Sequence, residues 1–276
     1  MRLLSAAVLV LGLSAGCGKD LHEIIAEHQV AVKAQLDRVP AVRAAAKAAP
    51  AVSADDVRFD GPPPRFPAGE WTDATANAAI AYLEDLDDLN ELGNVPFRID
   101  GSGSINRCAS ALTTHRDPYD PILANTSPPP VPEYRAEGSF KHCEGLRYVF
   151  VIRSISLSSP SPVTTVFCST LAGPADAGSD AGSDAGSDAG PPPDGGSSAT
   201  CKRFEGGAFK AEALVFDLRS GAQLGGFRFG AESSPRIDVT LYSNQDLAPG
   251  PDLKAQIRAA FVAAATRAVP SVGAGD

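Results

Sequence analysis

Few side chains in this sequence can bond, coordinate or attack: five cysteines and four histidines carry most of that chemistry. Cys17 stands alone near the N-terminus, while Cys108, Cys143, Cys168 and Cys201 lie far along the chain. No two cysteines have C-x-x-C spacing and no histidine sits at ligand spacing beside them, which argues against a zinc centre and gives no cofactor to expect. An even set of four reads as two disulfides, provided the chain leaves the reducing cytosol. The histidines, His22, His28, His115 and His142, are scattered, with no H-E-x-x-H pattern. Gly178-Ser179-Asp180-Ala181-Gly182 places its serine wrongly for a nucleophile elbow, and Gly225-Gly226 lacks the lysine of a phosphate loop. His142 beside Cys143 could suggest an activated thiol, but among four cysteines in an oxidising compartment a bridged Cys143 is the better expectation.

The N-terminus decides the compartment. Arg2 provides a basic start, Leu3 to Leu13 form an apolar run, and Ser14, Ala15 and Gly16 are small residues suited to cleavage. A permanent membrane helix needs about 20 apolar residues, so this shorter run reads as a signal peptide that is removed.

Leu13-Ser14-Ala15-Gly16-Cys17 resembles the lipobox of bacterial lipoproteins, a resemblance confined to residues 1–17. It departs from the commonest pattern in having Ser14 three residues before the cysteine. The resemblance implies that the Cys17 thiol is acylated and that Cys17 becomes the first residue after cleavage of 1–16. Gly18 rather than Asp follows, which by the sorting rule of that class implies the outer membrane. Several acyl chains, at about 0.8 kcal/mol per buried methylene, hold a protein on a membrane essentially permanently.

The formal net charge is −9, and no basic stripe is present to neutralise phosphates. That argues against nucleic acid as a partner, and against electrostatic attraction to anionic lipid. Membrane contact is therefore expected through the acyl chains alone.

The remaining elements are read as one α+β domain over 17–276. Asp20 is expected to cap a helix with Leu21, Ile24, Ile25, His28, Val32, Leu36 and Val39 on one face, and Pro40 to restart it through the alanines up to Ala49. Residues 50–71 read as a Pro-rich connecting segment. A second helix is expected from about Thr72 to Gly93, burying Ala79, Ile80, Leu83, Leu86 and Leu89 and exposing Glu84, Asp85, Asp87, Asp88 and Glu91 as a solvated face. Phe97 to Ile99 is expected to form a short strand, and 106–139 a long loop. Long loops inside a domain are often functional, so any binding site is sought there.

Leu146–Leu157 and Val163–Phe167 are rich in β-branched and aromatic residues and read as a hairpin; Ala211–Leu218, Gln223–Phe229 and Ile237–Tyr242 complete an antiparallel meander of about five or six strands. A last helix follows Asp252, with Leu253, Ile257, Ala260, Phe261 and Ala264 on its apolar face. The N-terminal, second and C-terminal helices should cover the sheet. Between the strands, residues 172–199 carry a repeated Asp-Ala-Gly-Ser unit with almost no large apolar side chain, and are expected to be disordered. Asp176, Asp180, Asp184 and Asp188 do not have the spacing of a calcium-binding β-roll.

The hairpin limits the cysteine pairing. With its turn near Pro160, Cys143 and Cys168 would lie roughly 30 Å apart at 3.3 Å per residue, so the pairs expected are Cys108 with Cys143 and Cys168 with Cys201. Function is read from the anchor and the missing catalytic pattern: a lipid-anchored envelope protein that binds a partner or serves an envelope complex without catalysis. The alternative is an envelope hydrolase drawing on Ser102, Ser104, His115, Asp117 or His142 in the 101–144 region.

Overall fold

The structure is a computed structural model that describes residues 20–59, 61–66, 75–90, 95, 97–99, 101–113, 133–168, 199–235, 237–240 and 250–269. Helix α1 (Leu21–Leu36) starts as the sequence predicts: Asp20 accepts from the Glu23 N–H and the Glu23 side chain accepts from the Asp20 N–H. This reciprocal cap satisfies two of the donors that a helix start leaves unpaired. Ile24, Ile25, His28 and Val32 form its buried stripe. Helix α2 (Val39–Ala48) restarts the chain with Pro40 in its first turn, where a missing N–H costs nothing, and buries Val42 and Ala46.

In the Pro-rich connecting segment, the described residues 50–59 and 61–66 run along the body of the fold. Val52 and Val57 are buried, Asp56–Val57 forms strand β1, and Phe59 and Phe66 pack on the sheet, Phe59 edge-on to Tyr148 and Phe66 edge-on to Phe150.

The expected second helix is instead strand β2 (Ala78–Tyr82) followed by a short 3-10 turn, Leu83–Leu86. Spacing alone could not separate the two, because a short apolar run fits a buried strand as well as a helix face. What selects the strand is burial on both sides: all five residues are buried, with Ala79 and Ala81 in one cluster and Ala78, Ile80 and Tyr82 in the other. Phe97–Ile99 is not a strand. The expected loop 106–139 contains helix α3 (Ser104–Thr113) and opens helix α4 (Glu133–Gly145), while 114–132 fall outside the described residues. Both helices lie on the crossover that leads β2 into strand β3 (Tyr148–Ser158), which β2 pairs in parallel from Ala78 with Tyr148 to Tyr82 with Ile152. Parallel neighbours require such a crossover, and the sheet is therefore mixed rather than a pure antiparallel meander.

Strand β4 (Ser161–Cys168) follows β3 after two residues but does not fold back on it. Its partner is β5 (Ala199–Glu205), and the partner of β3 is β6 (Ala208–Asp217). Ser158 opposes Ala208 and Ser161 opposes Glu205, so the register runs unbroken across the gap. Gly206 (φ 72°) and Gly207 (φ 100°) occupy that gap in the left-handed region that side chains disfavour, and a Cβ on Gly207 would meet Pro160 at 2.6 Å. The two pairings thus form one long antiparallel ribbon, on the order of 60 Å at about 3.3 Å per residue. The expected β3–β4 hairpin is replaced by this ribbon, with residues 169–198 joining its two strands at the far end. The repeat lies within that segment, outside the described residues, except that Ala199 opens β5.

Strand β7 (Gln223–Glu232) returns antiparallel along β6, and β8 (Ile237–Thr240) pairs with β5. The main sheet has the order β1-β7-β6-β3-β2, the second β4-β5-β8. At Gly225 (φ 136°) a Cβ would meet the Asp56 carbonyl oxygen at 2.0 Å, so glycine lets β1 lie against β7.

The alternation along β3 divides the core. Val149 and Val151 face α1–α4, together with Ile105, Phe140, Leu214 and Phe216. Phe150 and Ile152 face helix α5 (Gly250–Ala268), whose Leu253, Ile257, Phe261 and Ala264 are buried as its spacing predicts. The architecture is α+β, with helices on both faces of a mixed five-stranded sheet.

Candidate functional site

Three of the residues considered for catalysis are described, and all three are inside the protein. Ser102, Ser104 and His142 are 6%, 1% and 0% exposed. Ser102 lies in the turn after Ile99, bridged to Ile80 of β2, and Gly101 and Gly103 (φ 82° each) let the backbone turn there into α3. The Gly103 N–H donates to the Ile80 carbonyl at 2.8 Å, which fixes the start of α3 against the end of the parallel pair. Among the described residues, Ser104 Oγ is buried with no hydrogen-bond partner. A serine nucleophile needs a base at its hydroxyl, and no described side chain supplies one. His115 and Asp117 fall outside the described residues.

Cys108 of α3 and Cys143 of α4 form a disulfide, with Cα atoms 5.8 Å apart, as the pairing argument predicts. His142 is therefore beside a bridged sulfur, not a thiolate. The bridge joins the two crossover helices in the cluster that also holds Phe140 and Ile105. On the neighbouring surface of α4, the Glu144 carboxylate accepts a hydrogen bond of 2.8 Å from His28 Nδ1 of α1, and the His28 ring stacks on Phe140 with centroids 6.0 Å apart. His28 is thus a core histidine that ties the N-terminal helix to α4.

Cys168 and Cys201 sit in β4 and β5. Val166 opposes Cys201 and Cys168 opposes Ala199, so the two cysteines are two residues apart in register. Their side chains lie outside the described ones, and Cys17 lies outside the described residues altogether.

The polar centre that sequence reasoning missed lies at the end of β2. Asp85, expected on a solvated face, is fully buried and holds Arg98 through two bonds of 2.5 Å each. Its backbone carbonyl accepts from Asn106 Nδ2 at 2.7 Å, which brings in α3. The Tyr82 hydroxyl donates to the Phe97 carbonyl at 3.1 Å and accepts from the Ile99 N–H at 3.2 Å. Glu84, Asp87 and Asp88 are exposed as expected, and Asp87 pairs with Arg43 of α2. The spacing Tyr82-x-x-Asp85, with Arg98 after the following Pro-Phe, carried a hint of this network, but only the strand assignment turns Asp85 inward. Its geometry is that of a structural clasp, because the Asp85 carboxylate, the Tyr82 hydroxyl and the Asn106 amide nitrogen hold 97–99 and α3 to the strand.

Two outcomes follow from this clasp. Asp85→Ala should destabilise the fold by about 3 kcal/mol, since it leaves Arg98 desolvated without its carboxylate; a loss below about 1 kcal/mol in urea unfolding would remove the clasp from the account. Burial pushes the Tyr82 phenol up to about 12, against a hydrogen bond from the Ile99 N–H and the charge of Arg98, which lower it. Because the folded value exceeds the unfolded value of 10.0, this contribution to stability is fully present below pH 10 and is lost as pH rises through about 12. Tyrosinate absorbance should therefore show one late-titrating tyrosine that Tyr82→Phe abolishes. Titration of every tyrosine near the ordinary value would contradict it.

Among the described residues, no three His, Cys, Asp or Glu side chains are grouped to hold a metal, and no helix is long and apolar enough to cross a membrane. Compared with models of protein families, with curated proteins and with solved structures, the chain finds no match in any of the three.

Proposed function

We propose that this is a lipid-anchored protein of a bacterial envelope, acylated on Cys17, whose folded body binds a partner or supports an envelope complex rather than catalysing a reaction. The observation that carries the reading is Leu13-Ser14-Ala15-Gly16-Cys17 behind a short apolar run with a basic start. The outer membrane is the proposed destination, because Gly18 follows the cysteine. Two features support the rest. Helix α1 begins at Leu21, so only Gly18, Lys19 and Asp20 separate the anchor from a helix tied into the core. Three extended residues reach about 10 Å, which holds the body close to the bilayer surface. The described candidates for a hydrolase, Ser102, Ser104 and His142, are buried.

The test is a Cys17→Ala variant expressed with its own leader. It should leave the membrane fraction almost entirely, and mass spectrometry of the wild-type N-terminal peptide should show Cys17 carrying acyl chains. An unmodified Cys17 in the wild-type protein would overturn the anchor. Hydrolytic turnover by the purified protein would overturn the non-catalytic reading while leaving the anchor in place.

A further inference from the structure

Among the described residues, the ribbon leaves one strand edge unpaired. On the side away from β6, β2 covers β3 only from Tyr148 to Ile152. The Arg153 guanidinium then donates to the Ala46, Ala49 and Pro50 carbonyls and pairs with Glu212, closing that end against α2. From Ser154 outward, no strand among the described residues pairs with this edge of β3 or with the edge of β4 that continues it. Ile155 and Leu157 are 58% and 37% exposed there. An unpaired edge with apolar side chains is a template for another strand.

Three observations on this edge point to the same occupant. The run from Ser154 to Val166 contains no ionisable side chain, in a chain of net charge −9. Two copies of an acidic protein repel over most of their surfaces, and this strip is a place where they can approach without like charges meeting. Next, Ser154-Ile155-Ser156-Leu157-Ser158 reads nearly the same in both directions. Antiparallel pairing with a copy of itself about Ser156 brings Leu157 of each copy beside Ile155 of the other, which stands at the bulge between Ser154 and Ser156, covering both exposed apolar side chains. Finally, the edge limits itself on its outer side: Pro160 and Pro162 have no N–H to offer, and the register shift at Pro162/Thr164 breaks the regular ladder beyond them, while on the inner side the shift between Ser154 and Ser156 sets a bulge at Ile155. A pairing so confined closes as a two-fold dimer and does not propagate.

We infer that the protein self-associates through the Ser154–Ser158 edge of β3, two copies adding their ribbons antiparallel about Ser156. The inference does not depend on acylation, because the edge belongs to the folded body.

The experiment uses the full-length protein in detergent. In a Ser156→Cys variant the two introduced thiols face each other across the two-fold axis, within disulfide reach of a cross-strand pair. Mild oxidation should convert most of the chain to a species of doubled mass on a non-reducing gel. Gln223→Cys, exposed at the start of β7, should remain monomeric under the same conditions. Leu157→Lys should weaken self-association at least tenfold in analytical ultracentrifugation, with an unchanged circular dichroism spectrum showing that the fold persists. A monomer throughout the accessible concentration range would overturn the inference. So would a dimer that Leu157→Lys leaves intact, or crosslinking in membranes only to a protein of different mass, which would make a foreign strand the occupant.

Discussion

Replacing Cys108 and Cys143 together by alanine should lower the free energy of unfolding by about 4 kcal/mol. The bridge closes a segment of sequence separation 35. In the chain-entropy account a loop of that size lies between the roughly 3 kcal/mol of a short loop and the roughly 5 kcal/mol of a long one. Alanine is the right replacement, because both positions are 1% exposed or less and a serine would add an unpaired hydroxyl. The segment closed by the bridge holds most of α3 and α4, the crossover that β2 requires in order to lie parallel to β3. Freed from the bridge, the crossover gains entropy in the unfolded chain. The urea dependence should therefore steepen as the unfolded ensemble expands, while the midpoint falls. A midpoint shift worth less than 1 kcal/mol would show that packing of Phe140 and Ile105 alone holds the two helices together.

Phe261→Ala on α5 should cost a similar amount, about 3–5 kcal/mol. Phe261 is 1% exposed and meets four aromatic rings from the sheet and the docked segment: Phe66 at 5.8 Å, Phe150 at 6.2 Å, Phe227 at 5.6 Å and Phe229 at 5.4 Å between centroids. Removing it takes away the contacts of one large side chain and opens a cavity that rigid strands on one side cannot collapse to fill. Because Phe66 lies in the segment that joins α2 to β2, the loss should also loosen 61–66. Hydrogen exchange of that segment should accelerate in the variant, while exchange in α1 and α4, on the opposite face of the sheet, stays near wild type. Uniform acceleration would mean that the two faces unfold as one unit.

The sequence by itself determined the elements whose code is local. Asp20 with Glu23 specified the start of α1, Pro40 the restart at α2, and the stripes Ile24-Ile25-His28-Val32 and Leu253-Ile257-Phe261-Ala264 the faces those helices bury. Such signals need only neighbours within a turn or two. The disulfide between Cys108 and Cys143 was also legible, although for a different reason than the sequence suggested. A β4 folded back on β3 would keep Cys168 from Cys143; β4 instead continues the ribbon beyond Ser158, and Cys168 at its far end is still separated from Cys143 by the length of β3 and β4.

Tertiary structure decided the rest, because the deciding partners are far away in sequence. Ala78–Tyr82 has the pattern of either a helix face or a buried strand. Only layers packed on both of its sides, and the edge of β3 beside it, make the strand the lower-energy choice. That choice turns Asp85 from solvent to core, beside Arg98, and no local pattern reports it. The same holds for the long ribbon. Each strand was recognisable from its β-branched and aromatic residues, but pairing is set by which edges meet. Gly206-Gly207 opposite Ser159-Pro160 let the chain run on with its register intact where a turn was expected, and so left the Ser154–Ser158 edge without a strand partner among the described residues.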